Sequence, residues 1–330
     1  MERYYAWKSH FQTAITLEDN NQVDPTDPDS VFLNQFLKKI ADGTVEKLDW
    51  ETIITKCSRS TMDDYEWRKR GFEGEDVTHL FMKNSQVLAH NHKRLKQLKR
   101  PILKVNAVNN NPKARKKKED KFQQLPNQAF YAVESKVLLT KNINPMLGLA
   151  NGSTGEVKGF VWDTSVTDET ISDATSVLVW TDFKGQYKGQ SFFPQDQSRR
   201  GWVPIFASQV DIYEATGSGE KGYEVLSRAM LPIKLAWAWT IHKAQGQTMK
   251  GKIVLDLGEK EIIAGLSYVA FSRATKLSNI GINGGCSRNR LMEEISNKPY
   301  LKLRKMADAD LTKLTNKTKA KLLEYQESRL

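Results

Sequence analysis

Between Leu231 and Thr248 the chain reads LPIKLAWAWTIHKAQGQT, an apolar run that ends in Thr240, His242 and Lys243 and continues into Gln245, Gly246, Gln247 and Thr248. A near-continuous apolar run of this kind is a strand of a parallel sheet. Polar groups just past the carboxyl end of such a strand stand where open α/β sheets bind ligands. A hydroxyl, an imidazole and an ammonium can each contact phosphate oxygens. Gly246 lets backbone approach a phosphate closely, and Gln245 or Gln247 suits a ribose or a base edge. A buried strand running into the polar start of a helix accounts for the same residues.

A second string, GLSYVAFSRATKL, spans Gly265 to Leu277. Its apolar residues Tyr268, Val269 and Phe271 are interrupted by Ser272 and Arg273, which implies a partly buried guanidinium. Burying that charge is costly unless something anionic pairs with it. A nucleotide γ-phosphate would serve, because Arg grips phosphate bidentately. The plain alternative is a surface or salt-bridge Arg.

The charge distribution adds a third candidate. Lys plus Arg total 50 against 39 acidic residues in 330, a net charge of +11. Twelve of the basic residues fall between Lys93 and Lys121 beside only Glu119 and Asp120, so this segment carries nearly the whole excess. A polyanion partner therefore rests on one segment and not on overall composition. Its KARKKK run, Lys113 to Lys118, reads as phosphate contacts, as a nuclear import signal, or as a solvated loop without a fixed partner. Trp162, Trp180, Phe193 and Trp202 are candidates for stacking on bases or for ordinary core packing.

Several classes are excluded. No run approaches the roughly 18 apolar residues of a membrane span, and the aromatic, polar N-terminus is unlike a signal peptide. Cys57 and Cys286 stand too far apart for a disulfide framework or a thiolate zinc site. His90 and His92 have no Cys nearby, and no metal site is expected. An intracellular location follows as the default, which makes Asn151-Gly-Ser a turn and not a glycosylation site.

The elements that position these groups alternate helix and strand. A helix is expected from a Ser30 cap through Phe32, Leu33, Phe36, Leu37 and Ile40 to Gly43, with another apolar segment at Leu48–Ile54. Leu80–Met82 reads as a buried strand leading into a helix that starts at Asn84 and carries Val87, Leu88, Asn91, Leu95 and Leu98. Asn106–Gln124 lacks apolar periodicity and reads as a mobile loop. From Gly152 to about Gly222, short β-rich runs (155–162, 176–180, 190–193 and 202–206) predict a small antiparallel sheet or barrel. IKLAWAWTI (233–241) and KIVLDL (252–257) then read as parallel strands, each followed by a helix. A basic amphipathic helix from about Lys302 closes the chain.

The two strings, in this order, resemble the fifth and sixth motifs of superfamily-1B DNA helicases of the PIF/RecD-like family. LFMKNSQVLAHNHKRLKQL (80–98) and KVLLTKNINPMLGLANGSTGEV (136–157) resemble further segments of that family in sequence order, so the likeness runs from about Phe11 onward. It implies an α/β fold: the second RecA-like motor domain, interrupted by a small Src-homology-3-like β-barrel. The expected divisions are 1–150 and 223–300 for the RecA-like domain, 151–222 for the barrel and 301–330 for the basic helix. The resemblance implies that Arg273 is the arginine finger, that Gly246 and Gln247 approach the nucleotide, and that Asn84, Thr240, His242 and Lys243 contact single-stranded DNA. It also implies a nuclear protein, or alternatively a mitochondrial one, in replication, repair, recombination or telomere maintenance.

The departures are as informative. No G-x-x-x-x-G-K-[ST] occurs in the 330 residues; Gly217–Gly222 is followed by Tyr223, and the strand ending at Asp256 continues as LGEK. ATP and Mg²⁺ are therefore expected only where a complete first motor domain, from the same gene or a split partner, is supplied, and this chain alone is not expected to hydrolyse ATP. By this resemblance Met1 is expected to fall just past the family's third motif, as in a truncated, split or decayed gene. The family carries a second phosphate-sensing Arg near Ile15–Gln22, where this chain offers Asn21 and Gln22 and has no Arg between Arg3 and Arg59. The alternative is a non-catalytic strand-binding or regulatory module derived from such a motor. On sequence alone, Arg273→Ala is expected to spare DNA binding and abolish turnover.

Overall fold

A computed structural model describes residues 10–16, 24–162, 173–183, 185–215, 222–261, 263–296 and 299–327. Asn21, Gln22 and most of the Gly217–Gly222 stretch lie outside these described residues. In chain order the helices are α1 (Pro28–Asp42), α2 (Lys47–Cys57), α3 (Asp64–Lys69), α4 (Asn84–Gln97), α5 (Pro112–Lys116), α6 (Leu266–Phe271), α7 (Arg288–Ser296) and α8 (Pro299–Glu327). The strands begin with β1 (Thr78–Phe81), β2 (Leu103–Asn106), β3 (Val108–Asn109), β4 (Gln128–Tyr131), β5 (Lys136–Leu139), β6 (Thr154–Trp162) and β7 (Val177–Asp182). They continue with β8 (Trp202–Ile205), β9 (Ser208–Ala215), β10 (Tyr223–Met230), β11 (Ile233–Leu235), β12 (Ala238–Thr240), β13 (Ile253–Asp256) and β14 (Ile280–Ile282).

The chain divides into two compact units, one of residues 1–82 with 240–330 and one of 83–239. The first is the expected α/β part. Its sheet has the order β12-β1-β13-β14, and β13 pairs in parallel with both β1 and β14. Leu80, Ile253, Leu255, Ile280 and Ile282 have essentially no exposure, as strands covered on both faces require. α1 lays Leu33, Phe36 and Ile40 into this core, with the Phe36 ring edge-on to Phe271 at 5.3 Å. Gly281 in β14 is fixed by space: a Cβ there would come within 2.7 Å of the Trp67 ring. The helix starts earlier than the sequence implies. Asp27, not Ser30, caps it by accepting from the Asp29 amide, while the Ser30 hydroxyl donates to the Thr275 carbonyl at 3.0 Å. Gly43 ends it at φ 68°. The C-terminal helix begins at Pro299, and Thr318 on it accepts a 3.0 Å bond from the Ala14 amide.

The second unit is antiparallel apart from its helices, with a five-stranded sheet β11-β5-β6-β7-β8, a three-stranded sheet β3-β10-β9 and the pair β2-β4. One core serves the strands from β2 to β11, including Val105, Tyr131, Val137, Val157, Val179, Ile205, Leu226 and Ile233. The unit therefore begins at Lys83, which differs from the division at residue 151. The change of composition at Gly152 is real, but β5 pairs with both β6 and β11, and these non-local pairings tie the preceding segment into the same core.

Three further expectations change. Residues 190–193 form no strand. The 106–124 stretch is not a structureless loop: it contains β3, α5 and a 3₁₀ turn, and buries Ala114 and Phe122 completely. Its anchor is Arg228 of β10, fully buried, which donates to the Ala114 and Lys117 carbonyls (2.7 and 3.0 Å), the Leu125 carbonyl (3.0 Å) and Asn109 Oδ1 (3.0 Å). Residues 233–241 are not one strand but two, β11 and β12. At the break Asn91 replaces ladder bonds, its side-chain amide donating to the Leu235 and Ala238 carbonyls while its Oδ1 accepts from the Ala238 amide at 2.8 Å. A buried Asn so fully used fixes the kink.

Candidate phosphate-facing turn

The turn after β12 is built from the sheet outward. The Ile241 amide donates to the Phe81 carbonyl at 2.9 Å, and the side chains of Ile241 and Ala244 are completely buried. This sets the turn at the carboxyl ends of β1 and β12, the ligand-binding side of a parallel sheet. No full helix follows, contrary to expectation. A single helical turn forms instead, with the Ala244 amide bonding to the Thr240 carbonyl at 3.1 Å and Thr240 Oγ1 accepting from the Lys243 amide at 3.3 Å. Gly246 at φ 81° stops it, a conformation that L side chains rarely adopt. The space around that glycine is open. His242, Gln245 and Gly246 are exposed, and Thr240, Lys243 and Gln247 are half-buried.

Arg273 follows α6 and lies against this turn. Its Nη1 donates to the Gln247 carbonyl at 2.8 Å and the Ala244 carbonyl at 3.2 Å, its Nε to the Val269 carbonyl at 2.9 Å, and its Nη2 to Ser272 Oγ at 2.7 Å. The Met249 amide returns a bond to the Arg273 carbonyl at 2.8 Å. The guanidinium is half-buried as the sequence implies, and burial pulls its pKa below the usual arginine range. Its partners here are carbonyls and a hydroxyl, not an anion. Partial negative charge on four oxygens offsets the desolvation.

The six-residue α6 is too short to hold itself. A buried cluster fixes its start. Glu261 and Arg290 form a 2.7 Å ion pair with both side chains at zero exposure. Glu261 accepts from the Ser267 amide (3.1 Å) and hydroxyl (2.6 Å), and Arg290 Nε donates to Ser267 Oγ at 2.9 Å. Arg290 also donates to the Leu257 and Lys260 carbonyls. Sequence reasoning passed over Glu261, Arg290 and Arg228, and placed Asn91 on the helix without its bonding role, since an isolated charged or polar residue carries no periodic signal of burial. Asp256, at the end of β13, has its carboxyl held above the ordinary range by burial, with the Gly258 amide opposing.

Asn84 is exposed at the first turn of α4, in the other unit. The later turns of the same helix carry Lys93, Arg94 and Lys96, with Lys99 just past its end, and these have no carboxylate partner among the described residues, whereas Arg100 pairs with Glu134 at 2.6 Å. The KARKKK run is partly neutralised, Lys113 by Glu224 and Lys117 by Glu214, each at 2.6 Å. Trp180, Phe193 and Trp202 are half-buried and packed on one another, with ring centroids 4.9 and 5.9 Å apart. Arg199 lies 5.1 Å from both the Phe193 and the Trp202 ring. Trp162 is 42% exposed. Cys57 and Cys286 are buried free thiols, each pushed up to about 12 by burial. Among the described residues no three His, Cys, Asp or Glu side chains gather, and no helix is long and apolar enough to cross a membrane.

No protein-family model matches the chain. Its sequence is similar to the ATP-dependent DNA helicase PIF1 of Homo sapiens, 27% identical over 216 residues, which is 65% of this chain and 28% of the relative. The ATP-dependent DNA helicase RRM3 of Saccharomyces cerevisiae is 25% identical over 273 residues, 69% of this chain and 36% of the relative. The chain thus spans about a third of the length of these relatives. In fold it is similar to the Pif1 helicase crystal structure from Candida albicans, at TM-score 0.61 and 22% identity over 91% of this chain and 62% of that one. A Bacteroides Pif1 helicase in complex with ADP-AlF3 and single-stranded DNA gives TM-score 0.59 and 18% identity, covering 90% and 56%. In sequence the chain is thus similar to PIF-type helicases, as its motifs imply, and it has the α/β fold of the Pif1 crystal structures.

Proposed function

We propose that this relative of the PIF-type helicases supplies the second RecA-like motor domain of a 5′-to-3′ DNA helicase, acting with a first domain that carries the P-loop. One observation carries the reading: the Thr240–Gln247 turn stands at the carboxyl ends of the parallel strands, with Arg273 bonded directly to it. Thr240, His242 and Lys243 contact the backbone of single-stranded DNA, and Asn84 on the second unit contributes a further contact. Gly246 and Gln247 face the nucleotide. ATP with Mg²⁺ supplies phosphoryl transfer when the first domain holds it, and Arg273 is the finger that stabilises charge there, a role typically worth ~10³–10⁵ in turnover. The antiparallel unit, with an expected Src-homology-3-like barrel over 151–222, guides the strand. Nuclear or mitochondrial DNA maintenance is the setting proposed.

The purified chain should bind a fluorescent single-stranded oligonucleotide, with log affinity falling against log salt at about −0.7 per phosphate contacted. Lys243→Ala should make that slope shallower by about 0.7. Joined to a P-loop domain of a PIF-type helicase, the chain should support DNA-stimulated ATPase activity. Strand binding without any such stimulation would favour the non-catalytic strand-binding module. No strand binding at about 50 mM salt, where phosphate contacts are strong, would remove both readings.

A further inference from the structure

We propose that Arg273 is a positioning residue for the strand-contacting turn, so that one guanidinium serves the DNA side and the nucleotide side of the motor in alternation. This rests on the reading of Thr240, His242 and Lys243 as strand contacts.

The donor count carries the inference. A guanidinium has five N–H groups. Four are engaged: one on Nε with Val269, two on Nη1 with Ala244 and Gln247, and one on Nη2 with Ser272. A single N–H remains. Bidentate recognition of phosphate takes two parallel N–H groups, so a full grip on phosphate must displace a present partner. Through the Nη1–Nη2 edge the grip takes one N–H from each nitrogen, so it displaces one of the two carbonyls, Ala244 or Gln247, that Nη1 now holds.

Those carbonyls belong to the turn whose shape sets Thr240, His242 and Lys243. Its inner side is pinned by the buried Ala244, and past Gly246 Arg273, just after α6, holds the backbone in two ways, its side chain on Gln247 and its carbonyl on the Met249 amide. α6 itself is anchored at its start by Glu261, Ser267 and Arg290, so the brace runs from a fixed point to the turn. With the guanidinium on the carbonyls, the turn is held in one shape. With the guanidinium on a phosphate, one of those two bonds is given up and the turn is loosened. Strand grip and nucleotide contact therefore compete for one side chain, which couples the two sites without any long-range rearrangement.

The test uses the full chain, a fluorescent oligothymidylate and amide hydrogen exchange. Arg273→Lys keeps the charge but cannot reach two carbonyls and a hydroxyl together. It should weaken oligothymidylate binding about fivefold and speed exchange at Gln245 and Gln247 about tenfold, the scale of losing a charge-assisted hydrogen bond. Exchange in β13 should stay unchanged. Arg273→Ala should do at least as much. Unchanged protection in both variants would overturn the brace. Full affinity in Arg273→Lys with loss in Arg273→Ala would show a simple charge contact and also overturn it. Lost protection in the variants, with no oligothymidylate binding even by the unsubstituted chain, would refute the strand-contact reading on which the proposal rests.

Discussion

The buried Glu261–Arg290 pair gives the sharpest energetic prediction, because both side chains have zero exposure and both also hydrogen-bond Ser267. Glu261→Gln changes one charge and little volume. The amide oxygen can still accept from the Ser267 amide, which the carboxylate holds at 3.1 Å. Arg290 is left buried with neutral acceptors only, the Leu257 and Lys260 carbonyls and the Ser267 hydroxyl. Breaking a buried pair by removing one partner typically costs about 3–5 kcal/mol. Retained hydrogen bonds put this case near the lower end, about 3 kcal/mol, or roughly 150-fold in the local opening equilibrium. Native-state hydrogen exchange reads this directly on the α6 amides, independently of how the second unit unfolds. Replacing both residues by apolar ones, Glu261→Leu with Arg290→Met, should cost less than the two singles together, leaving a coupling of about 1 kcal/mol or more. Exchange free energies within about 1 kcal/mol of the unsubstituted chain in Glu261→Gln, or strict additivity in the double variant, would refute the reasoning.

Two further outcomes are expected in the second unit. Arg228→Met keeps an apolar stem over Phe122 but strands the fully buried carbonyls of Ala114 and Leu125, at about 1–3 kcal/mol each; trypsin should then cut within Lys113–Lys121 much faster, and an unchanged cleavage rate would contradict this anchoring. His90 is pulled down to about 4 by burial, with Arg94 and Lys93 adding to the effect, against an ordinary 6.5. The unfolded chain then binds the proton first, so stability should be level above about pH 6.5 and fall as pH drops toward 4. Urea midpoints of His90→Gln should lose that decline, and a decline of the same size in the variant would assign it to other groups.

The parallel strands, α1, α4 and the two chemical strings were legible in the residues, because local signals specify them. Continuous apolar runs mark buried strands, Gly43 marks a helix end, and the short motifs carry their own chemistry. Even the half-burial of Arg273 followed from its apolar neighbours. What those neighbours could not supply was the partner. The sequence alone leaves Arg273 apart from the Thr240–Gln247 turn, whereas the tertiary structure bonds it to that turn through the carbonyls of Ala244 and Gln247.

The same limit recurs wherever contacts cross long stretches of chain. Residues 106–124 have no periodicity because their order comes from Arg228, more than a hundred positions away, which satisfies their carbonyls from β10. The run 233–241 is uniformly apolar, and its break into β11 and β12 is imposed by Asn91 on a different helix. Composition and local pattern determined the apolar strands and helices and the residue types able to meet a phosphate. Tertiary structure alone decided which backbone groups a lone buried Arg, Asn or Glu satisfies, because a hydrogen bond needs two partners and the sequence displays them one at a time.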